Sequence, residues 1–166
     1  MLATPIPLTA CVGRLMTSET IVGFTDCDMY GHVTTAKYLE MAIDHRFRAV
    51  SQQLGIDFGA FASQEKVILV NRKVTMRFLV AAKLHDPIRI QLWIDRMKGF
   101  RSEIEVRMRH AVTGTPLCDI RIDSVSVHVD DRVPVPLPAT YLPANGADPR
   151  QLPWAPGHPR QHTSTE

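Results

Sequence analysis

The stretch F-T-D-C-D-M-Y-G-H-V-T-T-A-K-Y, Phe24 to Tyr38, lies where a β-rich pattern gives way to a helical one. Before it, Thr20-Ile21-Val22-Gly23-Phe24 favours extended backbone, and a first strand is predicted over Ser18–Thr25. After it, Ala36, Leu39, Ile43, Phe47, Val50 and Leu54 recur at three- and four-residue steps. That is the period of one helix face, so a helix is predicted from Thr35 to Leu54, with Gly55 at a left-handed C-cap. The quoted stretch is therefore a strand-to-helix turn. Asp26 and Asp28 flank Cys27, Gly31 permits backbone angles other residues resist, His32 follows it, and Thr34 or Thr35 can cap the helix. Such a turn sets carboxylates beside the unpaired N–H groups at the positive end of a helix. Those N–H groups favour a developing negative charge, as an acyl-transfer site requires.

The rest of the chain bounds what this turn serves. With 166 residues, one domain with a buried core is expected. A net charge of +2, from 19 basic and 17 acidic side chains, argues against a nucleic-acid partner, and no aromatic-basic module is visible. Cys11, Cys27 and Cys118 are odd in number and far apart, which fits neither a disulfide framework nor a paired-cysteine metal site, and a cytoplasmic location is expected. The opening residues lack a basic and apolar leader pattern, and no apolar run approaches the roughly 18 residues of a membrane span.

Residues 1–16 read as an N-terminal arm and 17–142 as the folded domain. Eight of the 12 prolines follow Val133, and 143–166 reads as a Pro-rich disordered tail. Between helix and sheet, Ile56 to Ser63 reads as a loop or a short helical turn that could close over a pocket. From Lys66 the period is two. Val67 to Val80 forms a long strand with a face switch near Asn71–Lys73, and Ile88–Ile94 and Ile104–His110 alternate apolar and polar residues. A last strand over Leu117–Val129 changes parity between Ile122 and Val125, which predicts a bulge there. One strand, one helix and four strands joined by short turns give an α+β architecture, a curved antiparallel five-stranded sheet around one long central helix.

The D-x-D-x-x-G-H-V-x-x-x-x-Y string of Asp26, Asp28, Gly31, His32, Val33 and Tyr38, in this setting, resembles the hydroxybenzoyl-CoA thioesterase family of the hotdog fold and its acyl-CoA thioesterase relatives. The resemblance covers about Ser18 to Leu142, with Thr34-Thr35 standing where members often carry two asparagines. It implies hydrolysis of an acyl-CoA or acyl-carrier-protein thioester, with Asp28 as nucleophile or general base and His32 as its polar neighbour. It implies no cofactor, CoA being part of the substrate, and a homodimer or dimer of dimers with the site between subunits. Gly31, Val33, Thr34, Thr35 and Tyr38 then supply the oxyanion and substrate contacts, and Arg96, Lys98 and Arg101 the CoA phosphate contacts, with Arg72 and Lys73 as weaker candidates. Two rivals remain on the same fold: a protein that binds a thioester or a partner without cleaving it, and a dehydratase or hydratase, whose motif is absent.

Each candidate also has a plainer role. Asp28 fits a turn-capping aspartate, Asp26 a structural acceptor, His32 a helix-entry hydrogen bond, and Tyr38 and Glu40 simple packing. Cys27 between two carboxylates is a poor nucleophile, since they disfavour its thiolate. Asp26, Asp28, His32, Asp44 and His45 have no recognised metal-ligand spacing, so no metal is expected. Met41 and the loop from Ile56 to Phe61 are expected to line the acyl pocket.

Overall fold

In the computed structural model, residues 12–54 and 57–137 are described. The elements are strand β1 (Met16–Ile21), a 3₁₀ turn (Phe24–Asp26), helix α1 (Thr35–Leu54), helix α2 (Phe58–Gln64) and strands β2 (Val67–Phe78), β3 (Pro87–Lys98), β4 (Arg101–His110) and β5 (Pro116–His128). All five strands form one antiparallel sheet, as the alternating pattern predicts, but in the order β1-β3-β4-β5-β2. Four strands joined in turn by short links would set β2 beside β3; instead β2 pairs with β5 at one edge and residues 79–86 carry the chain across to β3, which pairs with β1. The predicted C-cap at Gly55, most of the arm and the Pro-rich tail lie outside the described residues. Of the two readings of Ile56–Ser63, loop or short helical turn, the second holds: α2 forms, because Asp57 caps it by accepting from Gly59 N at 2.8 Å and Ala60 N at 3.1 Å.

The inward sheet face carries Ile88, Ile90, Leu92 and Ile94 of β3, Ile104, Val106 and Met108 of β4, and Ile120 and Ile122 of β5, all buried. The outer face carries the alternate residues, knitted by ion pairs such as Arg89–Glu19 at 2.9 Å and by Arg107 stacked 4.9 Å over Trp93. The face switch in β2 is a bulge between Asn71 and Lys73, as expected. The bulge expected in β5 is absent. Ser124 and Ser126 keep the inward parity and are buried, so polar residues occupy core positions that an apolar count skips.

Helix α1 has the predicted bounds but presents a different face. The residues buried against the sheet are Tyr38, Ala42, His45, Arg46, Ala49 and Val50, whereas Ala36 and Phe47 are exposed and Leu39 and Ile43 only half-buried. Small Ala42 and Ala49 let the helix approach the concave sheet, and one ring nitrogen of the buried His45 beside them finds a partner, Ser18 Oγ lying 2.5 Å from Nδ1. Phe47 packs sideways instead, its ring 4.8 Å from that of Phe58 on α2.

Candidate functional site

The first strand ends at Ile21, earlier than predicted, and the chain tightens into the 3₁₀ turn before entering α1. Asp26 and Asp28 therefore do not share a strand face. Asp26 Oδ2 accepts from Gly23 N at 2.8 Å and Oδ1 lies 3.9 Å from Lys37 Nζ, so Asp26 braces the turn. Lys37 is shared with Glu40 at 2.7 Å, which is Glu40's visible role.

Asp28 is exposed, and its Oδ1 accepts from Tyr30 N at 2.8 Å and His32 N at 3.1 Å. No described residue bonds its second oxygen, which keeps its acceptor capacity. Further backbone bonds close the loop, Gly31 N to Asp28 O at 3.0 Å and Asp28 N to His32 O at 2.9 Å. Gly31 sits at φ +75°, where its lack of Cβ is needed. The half-buried His32 ring makes no hydrogen bond to a described residue. Cys27 is half-buried, and burial first, then the carboxylates of Asp26 and Asp28, push its thiol up from the ordinary value, as the flanking charges predict.

The donors at the helix entrance are mostly committed. Val33 N donates to Ala82 O at 2.9 Å and Thr34 N to Asp26 O at 3.0 Å, and Thr34 O accepts the first helical N–H, from Lys37, at 3.1 Å. Thr34 is thus the residue before the helix, and the N–H groups of Thr35 and Ala36 are left without an acceptor among the described residues. The expected donor run from Gly31 to Thr35 narrows to Thr35 and gains Ala36.

Tyr38, one turn in, is buried and its hydroxyl accepts from Ala82 N at 2.8 Å. Burial pushes its phenol up, so it stays neutral. Its ring meets Phe78 edge-on at 5.6 Å, which holds the β2–β3 connection against the helix start. Between them runs a half-open groove of about 240 Å³ lined by Val33, Thr35, Tyr38 and by Phe78, Leu79, Val80 and Ala81. Sequence reasoning missed this second wall. Its signal was the apolar run Phe78-Leu79-Val80 at the strand end, which reads as more strand but leaves the sheet after Phe78. Met41 lines neither this groove nor the cavity beneath α1, whereas Phe58 lines the latter.

Arg96, Lys98 and Arg101 are not brought to the turn. They flank the β3–β4 hairpin, with Lys98 opposite Arg101, while the turn adjoins the other end of β3 through Val22 N to Asp86 O at 3.0 Å. Pro87 to Lys98 at about 3.3 Å per residue is roughly 35 Å. Arg96 also pairs with Glu103 at 3.8 Å. Arg72 and Lys73 lie at the β2 bulge, exposed. Among the described residues no group of three or more His, Cys, Asp and Glu is arranged to hold a metal ion, and no helix is long and apolar enough to cross a membrane.

With this geometry in place, comparison with known proteins adds a family and a fold. The sequence model of the thioesterase-like superfamily matches residues 22–144. No curated protein matches the sequence. Among solved structures, a 1,4-dihydroxy-2-naphthoyl-CoA thioesterase from Synechocystis superposes with a TM-score of 0.71 at 20% identity, over 76% of this chain and 92% of that one. A probable thioesterase from Bartonella henselae gives 0.69 at 22%, over 75% and 100%. A putative oleoyl thioesterase from Lactobacillus plantarum gives 0.72 at 17%, over 81% of this chain and 51% of that one. At these identities the structures establish a shared hotdog fold.

Proposed function

The chain belongs to the thioesterase-like superfamily, and from that premise we propose that it hydrolyses the thioester of an acyl-CoA or acyl-carrier-protein substrate at the Asp28 turn. The observation that carries this reading is the juxtaposition on one turn of an exposed carboxylate with a free oxygen, two unclaimed helix N–H groups and an apolar groove. The acyl part lies in the groove against Tyr38 and Phe78, with its carbonyl oxygen toward the N–H groups of Thr35 and Ala36. Asp28 then either takes a proton from the attacking water or attacks the carbonyl carbon itself. In the first route the C–S bond breaks as the tetrahedral oxyanion collapses, and the thiolate leaves and is protonated. In the second the thiolate leaves an acyl-aspartyl anhydride that water hydrolyses. Both routes yield a carboxylic acid and a thiol. His32, the half-buried neighbour, orients water or the thioester.

Phe24 at 83%, Met29 at 89% and Tyr30 at 77% exposure surround the turn, and β2 is an open sheet edge. A second copy of the chain covers both in our reading, as a dimer or dimer of dimers. That copy is also the route by which Arg96, Lys98 and Arg101, too distant within one protomer, reach CoA phosphates.

The test is thiol release from aromatic, short and long acyl-CoAs by wild type and Asp28→Asn. Asn keeps the Oδ1 acceptor for Tyr30 and His32 and removes only the charge, so the turn survives while the chemistry does not. A loss of about 10² or more in kcat is expected. Undiminished turnover would remove Asp28 from the mechanism. No turnover of any CoA or carrier-protein thioester, by a correctly folded protein, would leave a binding role. Single-turnover hydrolysis in ¹⁸O water establishes the anhydride route if label enters Asp28, which requires water to attack the aspartyl carbonyl of an anhydride.

A further inference from the structure

Away from the turn, one charge among the described residues is buried without a counter-charge from them. Arg46, in the second half of α1, is 4% exposed. Its Nη1 donates to Asn71 Oδ1 at 2.9 Å and to Ser124 Oγ at 3.0 Å, and Ser124 Oγ in turn donates to Asn71 Oδ1 at 2.9 Å. Both acceptors are neutral. No described carboxylate pairs with the guanidinium, and Nε and Nη2 have no bond to a described residue. Burial alone lowers the group to about 10, so it remains a cation at neutral pH. The apolar α1 pattern gives no reason for a cation on the sheet-facing side, and the proposed hydrolysis does not use it.

Arg46 also lines a small cavity of about 20 Å³ beneath α1, together with the buried Ser102. Leu92, Ile94, Met97 and Ile104 of the sheet, Phe58 of α2 and Leu137 form much of the rest of the wall. Such a volume admits one small guest, a water molecule or a monatomic anion. An isolated charge in apolar surroundings is strongly unfavourable unless it is paired. The Phe47 ring, its centroid 5.8 Å from the guanidinium carbon, offers a weak cation–π contact and no counter-charge. A water molecule would accept the spare N–H bonds but bring no counter-charge either, whereas a monatomic anion does both.

We propose that the cavity beneath α1 is a binding site for one halide-sized monovalent anion, held by the Arg46 guanidinium and the Ser102 hydroxyl. The anion locks α1 to β3, β4 and α2, and it binds the folded chain only. Chloride and bromide fit. Acetate and gluconate are too large for the cavity.

The test is thermal melting of the full chain in sodium chloride, bromide, acetate and gluconate at matched ionic strength, for wild type and Arg46→Met. For wild type, Tm is expected to rise by about 3–6 °C per tenfold increase in halide beyond the dissociation constant, with no such rise in acetate or gluconate. In Arg46→Met the halide-specific rise is lost. Wild-type crystals soaked in bromide are expected to give an anomalous peak within hydrogen-bonding reach of Arg46, and this decides the matter if the variant does not fold. Equal melting in all four salts overturns the proposal. So does a halide effect that persists in Arg46→Met, or one that comes with bromide bound elsewhere. A bromide peak at Arg46 with no solution effect means binding at crystal concentration only, and also overturns it.

Discussion

Replacing Tyr38 by Phe removes one oxygen and tests how the groove wall is held. The Tyr38 hydroxyl is the acceptor for Ala82 N at 2.8 Å, and both residues are buried, so water does not replace the lost partner. The ring contact with Phe78 at 5.6 Å is retained, and little area is lost. The cost is then that of one buried unsatisfied N–H, about 1–3 kcal/mol. For a chain of this size that corresponds to a fall in Tm of roughly 2–12 °C. In urea the midpoint should fall with the slope unchanged, because the surface exposed on unfolding is the same. Ala82 also accepts from Val33 N at 2.9 Å, so a loosened Ala82 disturbs the helix entrance, and thioester turnover should fall beyond the loss of stability. A variant matching wild type in unfolding free energy within about 0.3 kcal/mol would refute the reasoning, since a buried N–H cannot lose its acceptor at no cost.

Two further outcomes follow from single residues. His45 is buried, and burial first lowers its pKa, so folding favours the neutral ring; its stabilising contribution is complete above the unfolded value near 6.5 and is lost as pH falls through the lower folded one. Urea midpoints at pH 7.5 and 5.5 should differ in wild type, and His45→Leu should narrow that difference. At Gly31, φ is +75° and an added Cβ meets nothing within 4 Å, so substitution costs backbone strain alone. Gly31→Asn should therefore lower Tm less than Gly31→Val, because Asn tolerates left-handed backbone and a β-branched residue does not, and equal losses would place the cost elsewhere.

The turn was readable in the sequence because its signals are local. Gly31 for a left-handed angle, Asp28 as an acceptor two and four residues back from its donors, and Thr34 before a helical period each act over a few residues, and the structure has all three. The sheet was readable for the same reason, since period-two alternation in β3 and β4 needs no knowledge of the partner strand. The second groove wall was not, because Phe78 to Ala81 meets Tyr38 across some 40 positions and nothing in either stretch announces the other.

Two of the structural misreadings, the buried face of α1 and the bulge in β5, have one physical origin. Counting apolar side chains assumes that the interior is filled by them. In α1 that count selects Ala36, Leu39, Ile43 and Phe47 over the face that carries His45 and Arg46; in β5 it passes over Ser124 and Ser126 and invents a bulge to keep valines inward. Yet these polar residues bond one another in part, with His45 Nε2 buried and without a partner among the described residues. Arg46 bonds Ser124 and Asn71, His45 bonds Ser18, and Ser126 Oγ donates to Val135 O at 2.5 Å. A buried arginine is tolerable only where acceptors from other elements converge on it, and those acceptors are inward-facing only if β5 keeps its parity. The helix face and the strand register therefore fix each other: turning α1 to bury Phe47 would carry Arg46 away from Ser124, and bulging β5 would turn Ser124 away from Arg46. The wrong helix face and the wrong strand parity were thus one mistake made at both ends of a single hydrogen-bonded contact.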